Sequence, residues 1–460
     1  MDKSLTTAYR RLRQLAGQIL CSGREVFIAR APARLDVLGG ISDYSGGRVL
    51  EATLGEAAIA AVQRRQDRRL IACSLQAAGH GWQPRVEISL DDLYSSPRRL
   101  KPPGQVRNLF TGPRHWAAYV LGAFYVLARE REVAAWPSGA TIIIDSNIPI
   151  GVGVASSGAI EVASLTALAA AFGLNLDSLR LARLCQLVEN QVAGAPCGIM
   201  DQVTQTIGEP HRLVDLLCQP CQVIGLPSLP SGVLAVGINS AVRHSVGGRP
   251  YHRARVGAFM AMKIITTHLG HDPYAGYPCN IPLREFRARF RPLLPKLMKG
   301  GDFLLRYGET DDRVTKVVPE EEYPVLGGVL FPISEIDRAR RFVRFIARAA
   351  ATGDERYLER AGQLMYKSHW GYSRLVGLGT PETDLLMRLI RRRGPAQGLY
   401  GARTSGGGSG GTMAVLCRAD ALDALREAMA DYEASTGRKP QLLAGTSPGA
   451  AAFGVRKIVL

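Results

Sequence analysis

The sequence predicts an α+β protein of two domains, and three observations carry that prediction. Apolar, β-rich stretches and segments of helical period follow one another in mixed order, which suggests a split βαβ layout rather than a parallel barrel. A chain of 460 residues is long enough for about two to four domains. Around Leu226–Gly232 the composition turns to Pro, Ser and Gly. A boundary there gives residues 20–225 and 226–460.

The polar, Arg-bearing Met1–Gly17 reads as a helix and lacks the apolar core of a secretory signal. Val26–Ala31, Ala57–Val62, Leu70–Ser74 and Ala140–Asp145 read as strands, and Trp116–Ala128 reads as a helix. Ser157–Phe172 is apolar almost all round, as a buried helix is. Leu179–Val192 sets Leu181, Leu184, Cys185, Val188 and Val192 on one face, with Asp177 as cap and Gly194 as stop. Residues 272–330 are rich in Pro, Arg and Gly and read as a loosely structured insertion.

Composition narrows the functional classes. A hydrophobic fraction of 46% and a charged fraction of 21% are ordinary for a globular protein. No apolar run reaches membrane-spanning length, so no membrane partner is expected. The eight cysteines are scattered and read as the thiols of a cytoplasmic protein. Cys218 and Cys221 form a CxxC without a second pair at zinc spacing, and read as structural. The formal charge of +17 would attract nucleic acid. Its arginines are dispersed, however, and no nucleic-acid-binding motif accompanies them, so no nucleic-acid partner is expected. An anionic small molecule would profit from the same charge.

Four segments carry chemistry. Pro149–Gly158 (PIGVGVASSG) joins a strand to the buried helix. Such a turn can present backbone amides and the helix dipole to phosphate. Gly151 and Gly153 permit close approach, and Ser156 and Ser157 can cap the helix or reach phosphate or Mg²⁺. Ala195–Gln202 (APCGIMDQ) follows the helix carrying Glu189, and its Asp201 could take a hydroxyl proton or simply close a turn. Thr404–Thr412 (TSGGGSGGT) could be a flexible linker, but linkers seldom run straight into a buried strand, and so many glycines there imply a backbone closely approached by something else. Arg30–Gly47 sets Arg34, Asp36 and Asp43 near one another, as an ion pair or as a site.

Taken in this order the four segments resemble the GHMP kinase family. PIGVGVASSGA is similar to its second motif, TSGGGSGGT to its third and ARAPARLDVLGGISDY to its first. GAPCGIMDQ, and NSAVRHS with Tyr251 following, look like the galactokinase branch. Galactokinases typically read GEHTDY where this chain has Gly39–Tyr44 (GGISDY). Gly40 and Ile41 thus replace a Glu-His pair whose Glu faces the sugar's hydroxymethyl side. RLDVLGGISDYSG, RHSVGG, GLGTPETD and the GTSPG ending also resemble the kinase domain of plant-type L-arabinokinases. The plant proteins carry a further N-terminal domain that is not expected here. Ala33 and Gly158 depart mildly from the family pattern.

The resemblance implies a two-lobed GHMP kinase fold: an N-terminal β-α-β lobe with the phosphate loop and a C-terminal ferredoxin-like α+β lobe. It implies a monomeric or homodimeric enzyme that uses ATP and Mg²⁺ to phosphorylate the anomeric hydroxyl of a free monosaccharide. L-Arabinose is the expected sugar, with D-galactose or a catalytically silent sugar sensor as alternatives. The implied roles put ATP phosphates along Gly151, Gly153, Ser156 and Ser157, and Mg²⁺ on Ser157 and Glu189. Asp201 would be the base and Arg34 the cation beside the transferring phosphoryl. Asp43, Gly198 and Tyr251 would contact sugar hydroxyls, with Gly407 and Gly408 flanking sugar and phosphates. Trp116 would be core or adenine wall.

Overall fold

The structure is a computed structural model that describes residues 10, 14, 19–96, 99–242 and 248–460. Apart from Arg10 and Gln14, the helix read at Met1–Gly17 lies outside these residues. So does Arg243–Ser245 of the NSAVRHS motif.

Two long strands, β1 (Glu25–Leu38) and β2 (Arg48–Arg64), form the spine of an eight-stranded sheet. Alternation along β1 decides what it faces. Ala29, Ala31, Ala33, Leu35 and Val37 enter the main apolar core. On the other face, Val26 and Ile28 enter a second apolar cluster, and the polar Arg30, Arg34 and Asp36 follow. Register shifts between Pro32 and Arg34 and between Asp36 and Leu38 bend the strand at that polar stretch. Bulges of this kind recur next to sites.

Beyond β2 the sheet continues through β3 (Arg69–Ser74), β4 (Arg85–Ser89) and β5 (Ala140–Ser146), in the order β1-β2-β5-β3-β4. Only the β3–β5 pair is parallel among these. The first half of β2 pairs instead with β6 (Leu213–Leu217), which pairs with β7 (Gln222–Gly225). The helices α1 (Ala118–Arg129), α2 (Ser156–Phe172), α3 (Ser178–Leu187) and α4 (Met200–Ile207) belong to this lobe. The apolar α2 is buried because it lies on β1 and β2 and is covered by α1, α3 and α4.

A second, antiparallel sheet runs β9 (Leu399–Thr404), β10 (Thr412–Arg418), β8 (Val233–Asn239) and β11 (Gln441–Leu443). Around it are α5 (Arg249–Leu269), α6 (Val325–Thr352), α7 (Arg356–Arg374), α8 (Pro381–Arg393) and α9 (Leu422–Thr436). The final strand, β12 (Arg456–Val459), returns to the first sheet and pairs with β1.

One expectation fails. Residues 272–330 are packed, with Tyr274, Ile281, Phe286, Phe290, Phe303 and Tyr323 in a core of their own against α5 and the start of α6. Its helices are too short to repeat an apolar period, which is why composition alone read it as loose.

Candidate active site

The glycine–serine turn before α2 is held from both lobes. The Arg34 amide of β1 donates to Val154 O (3.1 Å), and Thr412 Oγ1 of β10 donates to Val152 O (2.7 Å). Helix α2 starts at Ser156 after Ala155, which adopts a left-handed φ of 56°. Gln205 Nε2 of α4 fixes that residue through its carbonyl (2.7 Å). Neither serine caps the helix. Ser157 Oγ instead donates to Glu189 Oε1 (2.9 Å), so the capping alternative read from sequence is not adopted.

Glu189 stands on a π-helical stretch, Val188–Ala193, that continues α3, and Gly194 ends it in left-handed conformation. The cap at Asp177 forms, accepting from the Leu179 and Arg180 amides. Widened turns of this kind recur at functional sites. Gln202 Nε2 bridges Glu189 Oε2 (2.8 Å) and Glu161 Oε2 (3.2 Å). Burial, then Asp201, pushes the Glu189 carboxyl up to about 7. Burial and Glu189 push Glu161 well above the usual carboxylate range. Crowded buried carboxyls with hydroxyl oxygen nearby are a donor set that a hard divalent cation would relieve. Mg²⁺ takes one or two protein oxygens and leaves its other positions to phosphate and water. Ser157 and Glu189 fit that pattern.

Arg34 meets Asp201 across 167 residues of chain: its Nε donates to Asp201 Oδ1 at 2.6 Å, and its Nη1 donates to Gly153 O at 2.8 Å. Glu51 of β2 lies on the same guanidinium at 3.5 Å. Burial works against the charge of Arg34, but Asp201 and Glu51 outweigh it and hold the guanidinium firmly protonated. Asp201 falls in the first turn of α4, where the helix dipole favours a carboxylate. Arg34, Asp201, Ser157 and Glu189 all line one cleft of about 410 Å³. Gly151, Gly153, Ser156 and Gly407 line it too, and Trp82, Trp116 and Tyr119 add aromatic surface.

Asp43 accepts from the consecutive amides of Ile199 (2.9 Å) and Met200 (3.1 Å). A Cβ at Gly198 would overlap that carboxylate, so glycine is what lets the turn close over it. Burial pushes Asp43 up to about 6 against the pull of those amides. Asp43 and Gly198 open onto a second cavity of about 760 Å³ that shares Cys197 with the first. Tyr251 of α5 is buried edge-on to Tyr44 (5.7 Å between centroids). Gly408 packs on Leu378 and Tyr372 and, unlike Gly407, does not line the cleft. Trp116 is buried, yet its ring forms part of the cleft wall while Nε1 donates to Gln83 O (2.9 Å). Cys218 and Cys221 are free thiols, and Cys218 contacts Asp43.

Sequence reasoning missed Glu51, Glu161, Gln202, Trp82, Tyr119, Tyr372 and Arg403. Two carried a usable signal: Glu161 is four residues after Ser157 on one helix face, and Gln202 adjoins Asp201. Arg403 of β9 pairs with Asp36 of β1 at 2.6 Å, both fully buried. Asp36 Oδ2 also accepts from the Gly406 amide (3.0 Å), which ties the TSGGGSGGT turn to the first lobe.

A two-lobed α+β fold joined over a glycine–serine turn, with an arginine–aspartate pair beside it, is the architecture of a small-molecule kinase. Known proteins agree. A model of the GHMP kinases N terminal domain matches residues 118–209, and one of the GHMP kinases C terminal matches 349–434. A galactokinase galactose-binding signature matches residues 21–64. The chain is 35% identical to L-arabinokinase of Arabidopsis thaliana over 99% of its own length, and spans about half (49%) of that relative. It is 30% identical to a galactokinase of Chloroflexus aggregans over 91% of both chains. The crystal structure of Lactococcus lactis galactokinase complexed with galactose shares the fold, with a TM-score of 0.76 at 21% identity over 99% of this chain and 100% of that one.

The chain belongs to the GHMP kinase family. The signature match and the Chloroflexus relative put it in the galactokinase branch.

Proposed function

We propose that this protein is a sugar 1-kinase that transfers the γ-phosphoryl group of ATP to the anomeric hydroxyl of L-arabinose. One observation carries the kinase reading: Asp201 and Arg34 in contact at 2.6 Å within a cleft that also contains the Gly151–Ser157 turn. Asp201 accepts the proton of the sugar's anomeric hydroxyl as that oxygen bonds to the γ-phosphorus and ADP departs. Arg34 pairs with the aspartate and faces the charge that develops on the phosphoryl oxygens. Ser157 and Glu189 would hold Mg²⁺, which would supply neutralisation of the phosphate charge. The aromatic wall of Trp82, Trp116 and Tyr119 suits a purine, and Asp43, Gly198 and Tyr251 are assigned to sugar hydroxyls. Holding these groups in line accounts for most of what phosphoryl transfer asks of a protein.

The sugar follows from residues 40 and 41. L-Arabinopyranose has the ring stereochemistry of galactose without the hydroxymethyl group. In this chain Gly40 has no side chain, and Ile41 is buried in an apolar cluster with Tyr44, Tyr251 and Phe259. A hydroxymethyl oxygen would find no partner from either residue, a costly arrangement in a buried site. The Arabidopsis relative supports the same choice.

The test is ADP release across a panel of free sugars, followed by kcat/KM on L-arabinose and D-galactose. The expected result is higher kcat/KM for L-arabinose. A higher value for galactose overturns the choice of sugar, and absence of turnover on every sugar overturns the kinase reading in favour of a sugar sensor.

A further inference from the structure

The vacant Cβ position of Gly40 is not open space. A Cβ built there would overlap the hydroxyl of Tyr372 and come within 2.7 Å of Arg403 Nη2. Gly40 also has a φ of +53°, which an L side chain rarely adopts. Tyr372 reaches this spot from α7 and is fully buried. Its hydroxyl accepts from the Ile41 amide (2.9 Å) and donates to Gly406 O (2.6 Å), bridging the first and third motifs. Phe331 of α6 packs edge-on to the ring (5.1 Å between centroids). The Arg403 guanidinium lies 4.9 Å from the ring centre. Arg403 is itself fixed by Asp36. The ring therefore has little freedom to move aside.

We propose that Tyr372 is a specificity-determining residue, whose ring and hydroxyl fill the volume beside Gly40 that an exocyclic hydroxymethyl group of the sugar would need. The inference rests on the pentose reading above and adds a cause to it. Selectivity comes from a space that has been occupied as well as from a polar side chain that is missing. The single proton of Tyr372 is given to Gly406, so the hydroxyl has no donor for a sixth-carbon oxygen. Placing a carboxylate at residue 40 would not by itself create a hexose site, because Tyr372 and the backbone both oppose it.

The experiment is kcat/KM on L-arabinose and D-galactose for the parent, Tyr372→Leu and Tyr372→Phe, with folding checked by circular dichroism. Tyr372→Leu should raise the galactose-to-arabinose ratio by roughly 10- to 100-fold, chiefly through KM for galactose, the range expected when a methylene-sized space opens. Tyr372→Phe keeps the ring contacts and should move the ratio the same way by a smaller factor. A purely structural role would weaken both sugars together. An unmoved ratio in the folded variants overturns the inference, and if Tyr372→Leu fails to fold, Tyr372→Phe decides. A parent that prefers galactose overturns the pentose reading instead, and the Tyr372 inference is still scored on its ratio.

Discussion

Two buried arginines in this molecule each hold an aspartate at the same distance, and the difference lies in what surrounds them. Arg34 holds Asp201 at 2.6 Å and Arg403 holds Asp36 at 2.6 Å. Arg403 and Asp36 are both fully buried, whereas the Asp201 side chain keeps 17% of its surface exposed in the cleft. Asp36 is satisfied by the Gly40 and Gly406 amides as well as by its arginine. The sealed pair is closed off from any ligand and joins the lobes. The open pair has one carboxylate face free for a proton. Ion-pair chemistry is common to both, and access decides which one can act on a substrate.

The sharpest way to break this comparison is Asp201→Asn. The amide keeps an acceptor for Arg34 Nε but cannot take a proton, so kcat should fall by about 10²- to 10⁴-fold, the usual worth of a general base. Steady-state turnover with ATP and the preferred sugar measures it. Near-parental kcat would refute the base assignment. The sealed pair should respond in the other coordinate. Arg403→Ala strips Asp36 of its counter-ion inside the protein and should cost about 3–5 kcal/mol of stability, read from urea unfolding. An unchanged unfolding midpoint would mean that the pair does not hold the lobes together.

These two pairs were not equally visible in the sequence. Arg34, Ser157, Glu189 and Asp201 lie in segments whose glycines, serines and carboxylates are hard to explain as core, so the residue types themselves mark the positions. Arg403 is only one residue before the TSGGGSGGT turn, but nothing local says that its partner is Asp36, 367 residues away. Tyr372 sits in the last turn of a helix, where an aromatic residue reads as ordinary core. Glu51 is hidden in the apolar run of β2. The early strands and helices were legible because a period of two or of 3.6 survives along them. The packed 272–330 segment was not, since its aromatic residues come from short helices and turns whose contacts are set by α5 and α6.

Asp43 sharpens the comparison from a third direction, because it is a buried carboxyl held by amides rather than by an arginine. Burial raises it to about 6. If the ionised form serves the sugar, kcat/KM should fall as pH drops through about 6. Stability has the opposite sign. The folded form binds this proton more tightly than the unfolded chain does, so the contribution is complete below the ordinary aspartate value near 4. It is lost as pH rises through about 6. Asp43→Asn has no such proton to lose. Its stability relative to the parent should therefore increase between pH 4 and pH 8, by up to about 3 kcal/mol for a carboxyl raised to about 6. Thermal melts of both proteins across that range measure it, and a constant difference would show that Asp43 is not held above its ordinary value.

Glu51 should give the smallest effect, and the reason separates it from Asp201. Both carboxyls contact Arg34, but no described residue donates a hydrogen bond to either oxygen of Glu51. Burial, reinforced by Asp36, holds its carboxyl well above the usual range, with Arg34 and Arg403 pulling the other way and Asp201 adding to the rise. A neutral Glu51 leaves the charge of Arg34 directed at Asp201 and the cleft. An ionised Glu51 would compete for it. Glu51→Gln is neutral at every pH and nearly isosteric, so it should change kcat at neutral pH by less than about 2-fold, and stability by less than about 1 kcal/mol at pH below the ordinary carboxylate range. As pH rises towards the raised value, the parent must lose stability relative to the glutamine variant, because only the parent has a buried proton to give up. A large loss of kcat in Glu51→Gln at neutral pH would instead make Glu51 a second charged partner of Arg34, and the open pair would then be a triad.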